Sequence, residues 1–340
     1  MAEPDALDRL VESGFPRDTL ALYGRWCQLE TWLRELVYTE LRSERGLEWE
    51  KALGKHAAPR VERDELNRYM ASADAGDVLA YSDVGLLFEI IGERWELFNP
   101  CMPPRVRWDG MVDELRAIRH RIAHVRRPHR DDLARIEQAL RDLDHGARTF
   151  CAAYAASRKV GAQGPVALSW LRAQHPVASR LISHADDQYG TSFNLRASAR
   201  PWAPTARAEL GEQGALWHAE WLQTGAAETD PVDFWEGLGR LRGQAGRDAQ
   251  RLAMHVLWPM SGHVTITFAA IDDAQAIADA IGECFDVLLL EARPRRDAPI
   301  GDENLWRGWT ARNDLLPGRV QVGSALSMAD AEMPFQVLEP

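Results

Sequence analysis

The chain has 340 residues and a formal net charge of −11, with 40 Lys and Arg against 51 Asp and Glu. A chain of this length usually folds as two domains, and 46% hydrophobic with 27% charged residues excludes a wholly disordered protein. Neither half carries a net positive charge, which argues against a protein that coats nucleic acid along its whole length.

The four cysteines, Cys27, Cys101, Cys151 and Cys284, are far apart and form no CxxC pair. This pattern is typical of thiols in a reducing compartment and argues against a disulfide framework or a zinc ribbon. The N-terminus is acidic and lacks an apolar stretch. We therefore expect a cytoplasmic protein with no signal peptide, no membrane span and no cofactor.

Helical periodicity dominates residues 1–157 and predicts an all-α bundle. Apolar residues recur at helical spacing from Arg17 to Arg45, directly after Pro16. Further helices are expected near 47–54 and 60–72, over 81–99 with Ser82 as its cap, over 109–126, and from Arg130 to 157.

A small, polar segment at 157–165 (SRKVGAQGP) predicts a boundary, with a second domain over 158–340. This domain is expected to be α+β. Its predicted elements are an irregular stretch at 190–206, helices at 207–222, 232–251 and 274–292, a strand at 263–271, and a strand pair near 319–327 and 334–338.

Aromatic and histidine residues of the second half indicate structure rather than chemistry. No basic residues interleave with its tryptophans as RNA stacking would need, so core positions are expected for Trp170, Trp202, Trp217, Trp221, Trp235, Trp258, Trp306 and Trp309. His255, Ser261 and His263 are expected in a loop at a strand entrance, and Cys284 as a buried thiol.

Residues 116–130 (RAIRHRIAHVRRPHR), the basic segment, reverse the charge of the chain. They hold six arginines, three histidines and no carboxylate, where a uniform distribution would give about 1.6 arginines. Because 37 of the 40 basic residues of the chain are arginine, abundance alone would mean little. The missing acid makes the segment distinctive.

Helical geometry separates the segment into two faces. One is apolar, with Leu115, Ile118, Ile122 and Val125, and the other gathers Arg116, Arg119, His120, His124 and Arg127 around Ala123. A guanidinium group binds two phosphate oxygens at once through a bidentate hydrogen bond, and an imidazole exchanges a proton near neutral pH. The polar face therefore favours binding a phosphodiester and moving protons on it.

The run Arg119-His120-Arg121-Ile122-Ala123-His124 resembles the motif of the HEPN superfamily, in particular the bacterial Abi-like HEPN domains. That motif is an Arg, usually followed by Asn, His or Asp, then a short spacer and a His. The resemblance extends to LALYGRWCQLETWLRELVYTEL in the first long helix and YSDVGLLFEIIGERWELF upstream of the motif, and covers about residues 17–157. The second half resembles no family.

This resemblance implies a metal-independent endoribonuclease that acts as a homodimer, its two motifs meeting in a shared cleft. The 2′-hydroxyl of RNA would attack the adjacent phosphorus and leave a 2′,3′-cyclic phosphate. His124 would be the acid or base, Arg119 would hold the scissile phosphate, and His120 would orient or assist. Substrate-backbone contacts would come from Arg116, Arg121, Arg126 and Arg127. A toxin or phage-defence effector, with an antitoxin or immunity protein as partner, is the implied setting.

Several alternatives stay open. In one alternative, the domain holds a nucleotide or a partner without cleaving RNA. In another, Arg119 and His124 are a surface pair on a solvated helix face. Asp131 and Asp132 can pair with the arginines at 126, 127 and 130. A metal bound by His120, His124 and His129 is disfavoured by the adjacent arginines. In a further alternative, the acidic second half covers the basic face at rest.

Overall fold

The computed structural model describes residues 13–53, 78–124, 126–224, 227–241, 245–260, 262–294 and 316–322, with the single positions 9, 11, 63 and 66. Its helical unit contains α1 (Arg17–Arg45), α2 (Val84–Glu93), α3 (Trp95–Phe98), α4 (Arg105–Ala123) and α5 (Asp132–Ala155). Two 3-10 segments, Gly46–Leu53 and Asn99–Cys101, connect these helices.

The sheet unit follows from residue 164 to residue 322. Its helices are α6 (Gly164–Leu171), α7 (Ala178–Tyr189), α8 (Pro231–Arg240), α9 (Ala245–Leu252) and α10 (Ala274–Leu290). Its strands are β1 (Thr191–Ala199), β2 (Ala215–Gln223), β3 (Ala227–Glu228), β4 (Ala253–Met260), β5 (His263–Ala269), β6 (Arg293–Pro294) and β7 (Val320–Val322). The main sheet has the order β1-β2-β5-β4-β7, antiparallel except for the parallel pair β4–β7, and β3 pairs with β6.

The main sheet lies between the helical unit and the helices of its own unit. Side chains such as Leu216 and Leu257 join the core of the helical unit, whereas their neighbours Trp217 and Trp258 join the core beneath α10. Successive residues of a strand point to opposite faces of the sheet. One face therefore packs in the core of the helical unit and the other in the core beneath α10, so both faces are buried.

Helix α1 packs on both the bundle and the sheet, which explains why polar residues are buried along it. Glu40 and Arg42 are both about 1% exposed. Gly46 ends the helix with a φ of +56°, and Asp272 of the sheet unit accepts a hydrogen bond from Leu47 N–H at 2.8 Å beside it. The first helix is therefore anchored to the sheet at its C-terminal end.

The predicted fold class is confirmed: the N-terminal region is helical and the C-terminal region is α+β. The long helix at Arg17–Arg45 has the predicted bounds, and the predicted helix at 109–126 lies at Arg105–Ala123. Asp83, and not Ser82, caps α2, because its carboxylate accepts from Leu86 N–H at 3.2 Å. The predictions at 60–72 and 334–338 lie outside the described residues, apart from positions 63 and 66.

Two predictions in the sheet unit were wrong. The second half of the predicted helix at 207–222 is strand β2, and the predicted irregular stretch at 190–206 contains β1. Because apolar residues lie on both faces of β2, with Trp217 on one face and Leu216 on the other, its apolar periodicity does not distinguish a strand from a buried helix. The small and polar residues of β1 have low strand propensity, and its nine-residue pairing with β2 decides its conformation.

Histidine and tryptophan positions show where tertiary packing acts. His255 lies buried in β4, not in a loop, and His263 begins β5, while Ser261 lies outside the described residues. Cys284 is buried as predicted, and burial raises the pKa of its thiol. Cys27 is exposed. The core position is confirmed for Trp170, Trp217, Trp221 and Trp258, whereas Trp202 and Trp235 are half-buried. Trp306 and Trp309 lie outside the described residues.

Candidate nucleic-acid interface

Helix α4 carries the motif and is fixed by its apolar side. Trp108, Val112, Leu115 and Ile118 are buried in the core of the helical unit, and Ile122 packs against it. The predicted apolar face is thus present up to Ile122. The opposite face points to solvent, with Arg116, Arg119 and His120 exposed.

The helix ends inside the motif. His124 leaves the helical conformation, with φ −100° and ψ 14°, and Arg126 N–H donates to the carbonyl of Arg121 at 2.9 Å. This bond spans five residues and is typical of helix C-termini. The motif histidine therefore lies at the helix end, where its backbone is no longer constrained by the helix.

Arg121 and Asp132 hold the segment after the helix against α4. Arg121 Nε donates to Asp132 Oδ2 at 2.7 Å and its Nη2 donates to Oδ1, while His129 N–H donates to Oδ2 at 2.9 Å. Burial alone would raise the pKa of Asp132, yet the bonds from Arg121 and His129 outweigh it and lower that pKa. Asp132 is therefore an ionised, buried anchor for residues 126–131.

The Arg121 side chain has consequently a different environment from the other predicted substrate contacts. Two of its donors are engaged by Asp132, and Asp132 does not pair with Arg126, Arg127 or Arg130. A direct contact between Arg121 and RNA, which the sequence predicts, would therefore compete with this ion pair. Arg121 contributes to the basic surface mainly by fixing the position of residues 126–131.

A solvent-facing groove, the basic groove, lies at the end of α4. Its lining residues are Arg116, Ala117, His120, Arg121, Arg126, Arg127 and His129. None of them is acidic, and no ion pair joins Arg119, Arg126 or Arg127 to another described residue. Arg116 lies 3.9 Å from Asp113. The groove thus presents cationic side chains that an anion can reach.

The two motif histidines are in contact. The ring centroids of His120 and His124 lie 4.5 Å apart in an edge-on arrangement. Partial desolvation and the positive charges at His124, Arg126, Arg119 and Arg121 lower the pKa of His120. A His120 ring that is neutral near pH 7 accepts a proton, or donates through its N–H to an anion.

The structure brings together most, but not all, of the predicted site residues. Arg116, His120, Arg121, Arg126 and Arg127 line the basic groove. Arg119 and His124 are exposed and do not line it, although His124 reaches it through His120. His129 also lines the groove, although the sequence analysis considers it only as a metal ligand. Its position within the basic segment is the sequence feature that could have predicted this. No group of three His, Cys, Asp or Glu side chains suited to a metal is found among the described residues.

The acidic second half does not cover this face in the part of the chain that the structure describes. The basic residues are exposed, and the contacts between the units involve α1 and α5. Among the described residues, these arginines are therefore open to a phosphate. None of the helices within the described ranges is long and apolar enough to cross a membrane.

Comparison with known families matches the helical unit alone. The profile of the Swt1-like HEPN family matches residues 27–146, about a third of the chain. This span includes α4 and the motif, and it confirms the expected superfamily, with Swt1-like relatives in place of Abi-like ones. No curated protein and no solved structure matches the chain. Residues 27–146 are thus a HEPN domain, to which the chain adds a sheet unit that no family match covers.

Proposed function

We propose that the protein is a metal-independent endoribonuclease. The observation that carries the proposal is the exposed, carboxylate-free group of arginine and histidine side chains at the end of α4, within a HEPN domain. Guanidinium groups neutralise phosphate, and two adjacent imidazoles exchange protons at neutral pH. Both properties are needed to cleave RNA without a metal.

The proposed reaction uses the 2′-hydroxyl of RNA as nucleophile. The 2′-oxygen bonds to the phosphorus as an imidazole removes its proton, and the bond from phosphorus to the 5′-oxygen breaks as a protonated imidazole gives that oxygen a proton. The products are a 2′,3′-cyclic phosphate and a 5′-hydroxyl, and His124 is assigned to one of the two proton transfers. Arg119 binds the scissile phosphate and stabilises its added charge. His120 orients or assists His124, and Arg116, Arg126 and Arg127 bind the flanking phosphates. DNA is not cleaved, because it lacks the 2′-hydroxyl.

Arg119 and His124 are exposed and do not line the basic groove of the described chain. We therefore propose a homodimer through the HEPN domain, in which a second copy brings its own motif to the first. Sedimentation that shows only monomer under cleaving conditions contradicts this assembly.

The biological role that fits such an enzyme is that of a toxin or phage-defence effector restrained by an antitoxin or immunity protein. Sequencing of RNA ends after controlled expression, with a His124→Ala strain beside the wild type, tests this role. New cyclic-phosphate ends that need His124 support it. Unchanged RNA ends in both strains contradict it.

The decisive test compares site variants in vitro. Arg119→Ala and His124→Ala should each reduce cleavage of RNA at least a hundredfold in EDTA while the thermal midpoint stays unchanged, because both side chains are exposed. Arg141→Ala and His145→Ala, exposed on α5, are the matched controls and should cleave normally. Full cleavage by the motif variants would rule out the site.

The second candidate, a HEPN module that binds a nucleotide or partner without cleavage, rests on the same basic groove. Product chemistry separates the two. RNA that binds the wild-type groove but gains no cyclic-phosphate ends would favour the binding module.

A further inference from the structure

Helix α4 carries two grooves of opposite charge that meet at one residue. The basic groove occupies its C-terminal end, and a second groove, the acidic groove, lies between α4 and α2. The acidic groove is lined by Phe88, Glu89, Gly92, Glu93, Arg105, Trp108, Asp109, Val112, Asp113 and Arg116. Arg116 lines both grooves.

Four carboxylates and two arginines line the acidic groove, and two of the carboxylates, Glu89 and Glu93, have no arginine partner among the described residues. Glu89, Glu93 and Asp113 are exposed. Of the two arginines in this groove, Arg116 lies 3.9 Å from Asp113, and Arg105 is engaged elsewhere. Asp109 accepts from Arg105 Nε at 2.9 Å, and the Gly92 carbonyl accepts from its Nη1 at 2.7 Å. Its guanidinium also lies over the Trp95 ring, 5.0 Å from the centroid.

The acidic groove is long enough to affect a bound strand. From Arg105 to Arg116 the helix rises by about 16 Å, a length that faces at least two phosphates of an extended strand. A strand that left the basic groove along α4 would thus bring phosphates next to carboxylates. A strand that left past residues 126–130 would meet Arg126, Arg127 and His129 instead.

We propose that the acidic groove excludes continuing RNA, so that the substrate is an RNA whose backbone ends, or turns away from the protein, within a few nucleotides of Arg116. This proposal rests on the proposed function, since it assumes RNA in the basic groove. Glu89, Glu93 and Asp113 are then specificity-determining residues. They select the substrate by repelling the phosphates of other RNAs, without contact to the scissile bond.

The test measures binding of a hexanucleotide and of the same hexanucleotide with ten further nucleotides on its 5′ side, its 3′ side or both. The 2′-O-methyl form of each RNA is used for fluorescence anisotropy, because it cannot be cleaved, and the 2′-hydroxyl form reports cleavage. One single-sided extension and the two-sided extension should weaken binding about three- to tenfold at low salt. The other single-sided extension should leave binding unchanged or tighter. The repulsion between exposed charges is modest in water and is screened within about 10 Å at 0.1 M salt.

The variant E89Q/E93Q/D113N should abolish that penalty. Because the result is the ratio between extended RNA and hexanucleotide, any general gain from freeing Arg116 cancels. The matched control is D186N/D187N/E236Q, which removes the same charge from exposed positions on α7 and α8 and should keep the penalty.

Four results overturn the proposal: equal binding of the hexanucleotide and its two-sided extension, a penalty that persists in E89Q/E93Q/D113N, a penalty that the control variant also loses, and no binding of RNA of any length. The expected binding pattern without cleavage supports the exclusion and overturns the proposed reaction alone. The two failures are therefore distinguishable.

Discussion

Arginines two positions apart in the motif have different surroundings. Arg119 is exposed and forms no ion pair with another described residue, whereas Arg121 is half-buried and bound to Asp132. Helical geometry places them on different sides of α4, and only Arg121 faces the start of α5. The residue type alone therefore does not decide which arginine is available to a phosphate.

Arg121→Ala should destabilise the protein where Arg119→Ala does not. Asp132 is about 1% exposed, and without Arg121 it would remain buried with its charge unpaired. Loss of one partner of such a pair costs about 3 kcal/mol, which thermal or urea denaturation measures. Arg119→Ala is the matched control. Equal stability of both variants would show that Arg121 is no anchor.

The same pair contributes pH dependence. The lowered pKa of the Asp132 carboxyl means that the pair stabilises the folded state above the unfolded pKa of about 4 and is lost as pH falls through the folded value. The stability difference between wild type and Arg121→Ala should therefore shrink in acid.

At the scale of elements, α10 carries an acidic group that does not contribute to the proposed site. Burial, followed by the neighbouring Asp279, Asp248 and Asp286, raises the pKa of the Glu283 carboxyl to about 7. A carboxyl whose folded pKa is raised stabilises the fold only when protonated. The cost of ionising it appears above pH 4.5 and is complete above pH 7.

Glu283→Gln should consequently stabilise the protein at high pH. The variant should exceed the wild type by about 1 kcal/mol at pH 8, a value reduced for solvent screening at this half-exposed site, and should match it near pH 4. Thermal denaturation across this pH range measures the difference. Asp187→Asn on α7, an exposed position, is the control. A gain that does not change with pH would contradict the assignment to ionisation.

At the scale of the whole molecule, a buried polar interface joins the two units. Glu40 of α1 accepts from Arg200 Nη2 at 2.6 Å and from Trp202 Nε1 at 2.7 Å, and the Arg200 guanidinium lies over the Phe150 ring. Arg200 and Glu40 are 0% and 1% exposed. The Arg200–Glu40 ion pair is therefore shielded from water, and its contacts come from both units.

A chain of hydrogen bonds extends this interface across the sheet. Glu35 of α1 pairs with His255 at 2.6 Å, His255 with Tyr154 at 3.0 Å, and Tyr154 with Thr267 at 2.6 Å. Thr267 then contacts His218 at 2.9 Å. Burial, followed by the charges of Arg196, Arg200 and His255, holds the pKa of His218 well below its ordinary value, so its ring is neutral. The units therefore share two sets of buried polar contacts between their apolar cores.

Glu40→Ala should destabilise both units together. Removal of the carboxylate leaves Arg200 buried without its counter-charge, and such a loss costs about 3–5 kcal/mol. Tryptophan fluorescence and limited proteolysis of both units should follow a single unfolding transition in wild type and variant. Glu137→Ala, a half-buried position whose partner Arg25 belongs to the same helical unit, is the control. Two separate transitions would contradict coupling through this interface.

The division of the chain at residue 157 remains our proposal for its organisation. The buried polar contacts between the two units limit how this division can be tested. Glu40, Glu35 and Tyr154 would lose their buried partners in a fragment that ends there, so activity comparisons belong in the full chain.

Local sequence determined the helices of the first half, the strand β5 and the location of the basic segment. Their signals lie within a few turns of one helix or within one strand: apolar spacing, Pro16, and arginines without neighbouring carboxylates. Tertiary structure decided that Asp132 forms an ion pair with Arg121, that α4 carries an acidic groove beside the basic one, and that β1 and β2 are strands. It also decided that His255 and Glu40 are buried in one interface. These features depend on residues from different elements meeting at a surface or in a core, and the energies of pairing, burial and charge arise only where they meet.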